Sequence, residues 1–193
     1  MGVAIAEAAW RRGAAVTLVA GPLEVPVPSG VRVERVETTS EMAAAIGKLL
    51  PEKDILIMAA APADFRPTAA SKDKIKRATG AKTIDLEATA DILATTRDRR
   101  KKDATIVGFA LETRELIANA ERKLSDKGLD LIVANDSRAP SGYTNGARES
   151  LSMMSKNAVA DEILDRIERI RSVERKRGEE GAATAGRRDV DGR

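Results

Sequence analysis

Four apolar runs divide this chain: AVTLVAG (Ala15 to Gly21), DILIMAAA (Asp54 to Ala61), TIVGFA (Thr105 to Ala110) and LDLIVAND (Leu129 to Asp136). Each is apolar along most of its length rather than at every second residue, the pattern of a strand buried on both faces. Between them lie stretches with helical spacing. Strands alternating with helices build βαβ units, and such units stack into a mainly parallel sheet covered by helices on both sides. The expected fold is therefore α/β, a Rossmann-like three-layer arrangement.

The helical stretches have recognisable ends. Gly2 to Arg12 is rich in alanine and stops at Gly13. SEMAAAIGKLL runs to Leu50, with Thr39 or Ser40 as its cap. DILATTRDRRKK reads as a helix from Asp91, and RELIANAERKLSDKG as a helix closed by Gly128. NAVADEILDRIERI carries apolar residues at 159, 163, 164, 167 and 170, one face of an amphipathic helix. VRVERV (Val31 to Val36) alternates and reads as a half-exposed strand; TIDLEA and ESLSMMS are weaker strand candidates. PLEVPVPSG and the basic PADFRPTAASKDKIKRATGAK read as loops. From Ser172 the pattern gives way to Gly, Ala and mixed charge, so the expectation is a folded domain over 1–171 and a disordered tail over 172–193.

Composition narrows the chemistry. The chain has no cysteine and no histidine, which excludes disulfides, thiolate chemistry, Cys/His zinc sites and a Ser-His-Asp triad within it. Proton transfer falls to carboxylates, lysines, substrate groups or water. Only 2% of residues are aromatic, so the core is built from Ala, Val, Ile and Leu. No apolar run reaches membrane-spanning length, and Glu7, Arg11 and Arg12 break the N-terminal stretch that a secretory signal would need. The net charge of +3, of which the tail supplies +1, is a weak footprint for nucleic acid.

Ligands of parallel α/β sheets sit beyond the C-terminal ends of the strands. After Ala60 comes APADFRP, where Asp64 could meet a ribose hydroxyl or a magnesium ion; a turn carboxylate fits the same position. The loop that follows holds five basic residues and one acidic between Lys72 and Lys82, a composition suited to a polyphosphate, though a solvated charge run has it too. Phe109 ends an apolar strand and could stack on a nucleobase or fill the core. Lys123 and Lys127 share a helix face at i and i+4; they repel unless an anion lies between them, or face solvent as a pair. Neither GxxxxGK[ST] nor GxGxxG is present, which counts against a dehydrogenase-like nicotinamide site. Together these features describe an anionic ligand, a nucleoside triphosphate above all.

The segments MGVAIAEAAWRRGAAVTLVAGP, AAAPADFRP, KIKR, ADIL, VGFALET and ERKLSDKGLDLIVAND, with Asn145 after SGYT, occur in an order and spacing that resembles one family. It is the phosphopantothenate–cysteine ligase domain of the bifunctional coenzyme A biosynthesis flavoprotein, in the DNA/pantothenate metabolism flavoprotein family. The resemblance runs from Met1 to about Ile170. It implies CTP-dependent joining of 4′-phosphopantothenate to cysteine through an acyl-cytidylate, with Mg2+, in a cytoplasmic homodimer. It implies no flavin in this chain, and the flavin-dependent decarboxylase half as a partner; neither nucleic acid nor membrane is expected. Carried over by position, Met58, Ala59, Ala60, Asp64, Lys74, Ala90, Asp91, Ile92, Leu93, Phe109, Lys123 and Lys127 would contact the nucleotide. Asp64 would also contact the metal, and Lys74, from the family's KIKK flap, would act in catalysis.

Two departures stand out. The family's NPDI is Thr89-Ala90-Asp91-Ile92 here, which removes an Asn donor and a proline from the nucleotide segment. Met1-Gly2 aligns with the end of the family's NxSSGxMG motif, so the resemblance implies a strand, a phosphate-cradling loop and a catalytic asparagine upstream of Met1. From that follow the expectations of a start assigned too late or a truncated chain, of an exposed sheet edge or an apolar groove where the first strand belongs, and of low stability. An inactive nucleotide-binding fragment serving as an interaction module is the alternative function.

Overall fold

The structure, a computed structural model, describes residues 1–69, 73, 83–111, 116–135, 140–144, 147–150 and 154–188. In chain order its elements are α1 (Gly2–Arg11), β1 (Thr17–Ala20), β2 (Arg32–Arg35), α2 (Thr39–Leu49), β3 (Ile55–Met58), β4 (Phe65–Pro67), β5 (Leu86–Ala88), α3 (Ile92–Thr95), β6 (Thr105–Leu111), α4 (Leu116–Lys127), β7 (Leu131–Asn135), β8 (Pro140–Thr144), β9 (Ala147–Ser150) and α5 (Lys156–Arg188).

A five-stranded sheet in the order β3-β6-β7-β8-β9 forms the centre. Its first three strands are parallel, with Met58 opposite Gly108 and Phe109 opposite Val133. The last two return as an antiparallel hairpin, Ser141 opposite Ser150. Strand alternation sends neighbouring residues of β6 to opposite faces. Ile106 and Ala110 enter a core with Ile46, Leu50, Met58, Ile92, Leu93, Leu124, Leu129 and Ile132, beneath α2, α3 and α4. Val107 and Phe109 face the other core, where Ile5, Ala8, Val159, Ile163 and Ile167 of α1 and α5 lie against Leu131 and Val133. These are the three layers that the apolar runs imply.

The parallel pair β1–β2 forms its own two-stranded sheet, Thr17 opposite Arg32. Val19 of β1 and Leu56 of β3 pack against the same core cluster. The two strands nevertheless share no ladder, so the outer edge of β3 has no strand partner among the described residues. The expectation of an unpaired sheet edge agrees with this.

Polar contacts pin the outer helices. Arg12, at the end of α1, donates from Nη1 to Asp165 (2.6 Å) and Glu168 (3.0 Å) and from Nη2 to the Asp161 carbonyl (3.1 Å), tying α1 to α5. Those acceptors hold its guanidinium charged against the desolvation that opposes it. Arg171 of α5 donates to the carbonyls of Asp54 (3.0 Å) and Asp103 (3.2 Å), at the entry to β3 and β6.

Several local expectations need correction. The cap of α2 is Thr38, not Thr39 or Ser40: its hydroxyl accepts from the Glu41 N–H (3.1 Å), while Glu41 accepts from the Glu37 N–H (2.8 Å), a capping box. The helix expected from Asp91 through Lys102 lasts one turn, followed by a 3-10 turn over Arg97–Arg99. Thr95 and Thr96 there donate from their hydroxyls to the Asp91 and Ile92 carbonyls, competing with helix continuation. The loop after β3 contains β4, and β8 was not anticipated. At the C-terminal end, α5 continues past Ser172 to Arg188, where the disordered tail was expected. Alanine, glutamate, lysine and arginine are strong helix formers, and they outweigh the glycines of that stretch.

Candidate nucleotide site

The C-terminal ends of β3 and β6 set the first part of the site. Met58 is buried at the end of β3, Ala59 is partly buried, and Ala60 is exposed as the chain leaves the sheet. Gly108 lies opposite Met58, where a Cβ would stand 2.7 Å from Leu129 Cδ1, so a larger residue would require that side chain to shift. That close approach lets the turn after α4 press onto β6. Phe109 is half-buried and packs into the α1–α5 core, on the opposite face from Met58, Ile92 and Leu93. Of the two readings of this ring, core packing is visible in the fold.

Asp64 is exposed just before β4. Its carbonyl accepts from the Thr89 N–H (2.9 Å), and the Thr89 hydroxyl donates to the Ala63 carbonyl (2.6 Å). Thr89 thus ties the loop bearing Asp64 to the segment entering α3, across the base of the β4–β5 hairpin. That hairpin pairs Phe65 with Ala88 and Pro67 with Leu86. Arg66 leaves its other face to meet Glu87 (2.7 Å) and the Ser40 hydroxyl (3.1 Å) at the start of α2. Among the described residues no three carboxylates gather as a metal-sized cluster. A single exposed carboxylate fits a magnesium ion that takes most of its ligands from phosphates and water.

Asp91 is the most heavily used residue of the predicted set. Its Oδ1 accepts from the Leu93 N–H (3.0 Å) and the Ala94 N–H (3.2 Å), capping α3. Its Oδ2 lies 2.9 Å from Lys127 Nζ. Partial burial pushes its carboxyl up, but the Lys127 ammonium and the two N–H donors outweigh that and hold it below the usual carboxylate value. Ala90 is exposed, whereas Ile92 and Leu93 are buried beside Met58. Lys123 is half-buried one turn before Lys127 on α4. The anion beside the lysine pair is therefore, for Lys127, a carboxylate of the protein. Lys74, and the basic loop around it, lie outside the described residues, as does Asn145.

The structure thus brings together Asp64 with Thr89, and Asp91 and Leu93 with Lys127. Arg100 escaped the sequence reading. Its Nη1 donates to the carbonyls of Lys127 (3.1 Å) and Gly128 (2.9 Å), and its Nη2 to that of Leu93. It sat within an expected helix, and nothing in its spacing marked it out.

A mainly parallel sheet between two helical layers, with a polar, lysine-bearing junction at one side, defines a Rossmann-like α/β domain. Residues 1–170 match the family described as DNA/pantothenate metabolism flavoprotein C-terminal domain, and the chain belongs to it. It is 37% identical over 180 residues to the coenzyme A biosynthesis bifunctional protein CoaBC of Bacillus subtilis (strain 168), covering 86% of this chain and 44% of that protein. It is 45% identical over 141 residues to a cysteine/cysteine sulfinic acid decarboxylase from an unknown prokaryotic organism, covering 72% of this chain and 39% of that one. The crystal structure of the C-terminal domain of a CoaBC protein superposes with a TM-score of 0.77 at 36% identity, covering 88% of this chain and 81% of that domain. The chain spans less than half the length of these two curated relatives.

Proposed function

We propose that this chain carries the amide-forming activity of coenzyme A biosynthesis, joining 4′-phosphopantothenate to cysteine at the expense of CTP. The observation that carries the reading is the family match over residues 1–170, with a solved CoaBC C-terminal domain as structural neighbour. In the first half-reaction the phosphopantothenate carboxylate attacks the α-phosphorus of CTP. The bond to the β-phosphate oxygen breaks, pyrophosphate leaves and an acyl-cytidylate forms. In the second, the cysteine amine attacks the acyl carbon, the acyl–phosphate bond breaks and CMP leaves; the amine proton passes to solvent. Both steps bring anions together, so cationic side chains and fixed dipoles dominate the demand on the protein.

Lys74, Lys123 and Lys127 are assigned to the triphosphate, and Lys74 also to conversion of the cytidylate. Met58, Ala59, Ala60, the segment Ala90 to Leu93 and Phe109 are assigned to the nucleoside by position, and of these Ala60 and Ala90 are exposed. Asp64 is the carboxylate assigned to Mg2+, which when bound neutralises phosphate charge. A cytoplasmic location is part of the same reading, as is a flavin-dependent decarboxylase half acting on the product. No helix among the described residues is long and apolar enough to cross a membrane, which is compatible with it. A homodimer is supported by the apolar face of the β4–β5 hairpin, where Phe65 is 60% and Leu86 57% exposed.

The test is pyrophosphate release from CTP, Mg2+ and 4′-phosphopantothenate, with and without cysteine. The reading expects release in the first half-reaction and CMP only when cysteine is added. Substituting ATP for CTP decides the nucleotide. One observation favours the alternative of a binding module without turnover: β1–β2 is separated from the main sheet next to the expected site. CTP binding with no pyrophosphate would establish that alternative.

A further inference from the structure

Arg100 closes a circuit. It donates to the carbonyls of Lys127 and Gly128, which end α4, and to the carbonyl of Leu93 in α3. The Leu93 N–H donates to the Asp91 carboxylate, and that carboxylate accepts from the Lys127 ammonium. Two elements distant in sequence are therefore joined twice, once through backbone carbonyls and once through an ion pair.

The two links differ in kind. The Lys127 and Asp91 side chains are 32% and 43% exposed, so solvent and salt weaken the pair, and a lysine that serves a ligand must be able to leave its carboxylate. The guanidinium is partly buried and rigid, and its planar fork meets three carbonyls that a lysine's single ammonium cannot span in the same way. Two of those carbonyls, of Lys127 and Leu93, lie in the last turns of α4 and α3, which leave them without partners inside the helix. Gly128, at φ +57°, turns the chain there, with the Arg97 guanidinium above it.

The arginine is held at a cost. Burial lowers its pKa, the neighbouring Arg97 cation lowers it further, and Asp130 and Asp91 oppose them. Its Nε is buried without a hydrogen-bond partner among the described residues. Local violations of this kind concentrate where a protein serves function as well as folding.

We propose that Arg100 is a positioning residue for the nucleotide: by clamping the end of α4 to α3 it fixes where the Lys127 ammonium stands relative to the Ala90–Leu93 segment. This rests on the nucleotide-binding reading of the same segment. The ammonium is then free to exchange Asp91 for a phosphate oxygen while its backbone stays in place. Arg100 itself touches no ligand.

The experiment uses the full chain with Arg100→Gln, Arg100→Lys and Arg100→Ala, each first shown to be folded by its thermal melt. Binding of Mg·CTP is measured by calorimetry, and the Asp91 carboxyl is titrated by 13C NMR. The expected result for Arg100→Gln is CTP affinity about tenfold weaker, as small misplacements of a binding group produce, with Asp91 titrating nearer the ordinary carboxylate value. Arg100→Lys falls between, and millimolar guanidinium restores most of the affinity of Arg100→Ala. CTP binding by the native chain together with an unchanged affinity in Arg100→Gln overturns the clamp alone. If Arg100→Gln does not fold, native affinity in Arg100→Lys overturns it instead. Absence of CTP binding by the native chain overturns the nucleotide reading and the clamp's role with it.

Discussion

Asp91 shows how much one carboxylate does in this fold. It caps α3 through two N–H groups and pairs with Lys127, and substitutions separate the two roles. Asn caps a helix about as well as Asp, so Asp91→Asn keeps the cap and loses the charge; Asp91→Ala loses both. At neutral pH Asp91→Ala is expected to lose about 1 kcal/mol of stability in urea unfolding, and Asp91→Asn only a few tenths. The pH dependence has a definite sign. The folded carboxyl titrates below the ordinary carboxylate value, so its contribution is present above the unfolded value and fades as pH falls through the lower folded value. The stability gap between native chain and Asp91→Asn should close below about pH 4. A gap that widened there would contradict the ion pair. The i, i+4 spacing of Lys123 and Lys127 made one half of this junction legible in the sequence. The other half was not, because Asp91 reaches Lys127 only through tertiary packing, and its residue type suits a simple helix start equally well.

Among the elements, long apolar runs were legible and short pairings were not. β3, β6 and β7 are read directly from their Ile, Leu and Val content, which buries on both faces. β4 and β8 each contain a proline and neither is an apolar run; they exist through their partners, β5 and β7, rather than through propensity. The β4–β5 hairpin matters most for assembly. Phe65, Pro67, Leu86 and Ala88 are cross-strand partners on one face, while Arg66 and Glu87 bond on the other. Large apolar groups so exposed on a short two-stranded ribbon are unusual for a surface that stays in water. If a second copy covers them, light scattering coupled to gel filtration gives a dimer mass for the native chain. The double change Phe65→Asp with Leu86→Asp should give a monomer mass with the melting of the main sheet retained. A monomeric native chain would remove the hairpin from consideration as a dimer arm.

At the scale of the whole molecule, β1–β2 and the five-stranded sheet are separate ladders that pack on a common core cluster rather than one continuous sheet. β6 lies between β3 and β7, with Val107 and Leu131 wholly buried. Among the described residues β1 pairs with β2 alone, and of its four residues only Ala20 is fully buried. Opening free energies follow burial and hydrogen bonding, so this asymmetry should be visible in amide exchange. Amides of Thr17–Ala20 are expected to exchange at least about tenfold faster than those of Ile106–Ala110, equivalent to about 1.4 kcal/mol less protection. Uniform, strong protection of β1 would mean that its free edge is covered in solution by something the described residues do not supply. The comparison also bears on function. Val19 of β1 packs against the core cluster that holds Met58, so a nucleotide bound where the Met58–Ala60 segment leaves the sheet would order backbone on both sides of the divide. Adding Mg·CTP should therefore slow exchange in β1 and at Ala59 and Ala60 together, while β6 and β7, already closed, change little. Slowing confined to α3 and α4 would instead place the ligand wholly on the Lys127 side.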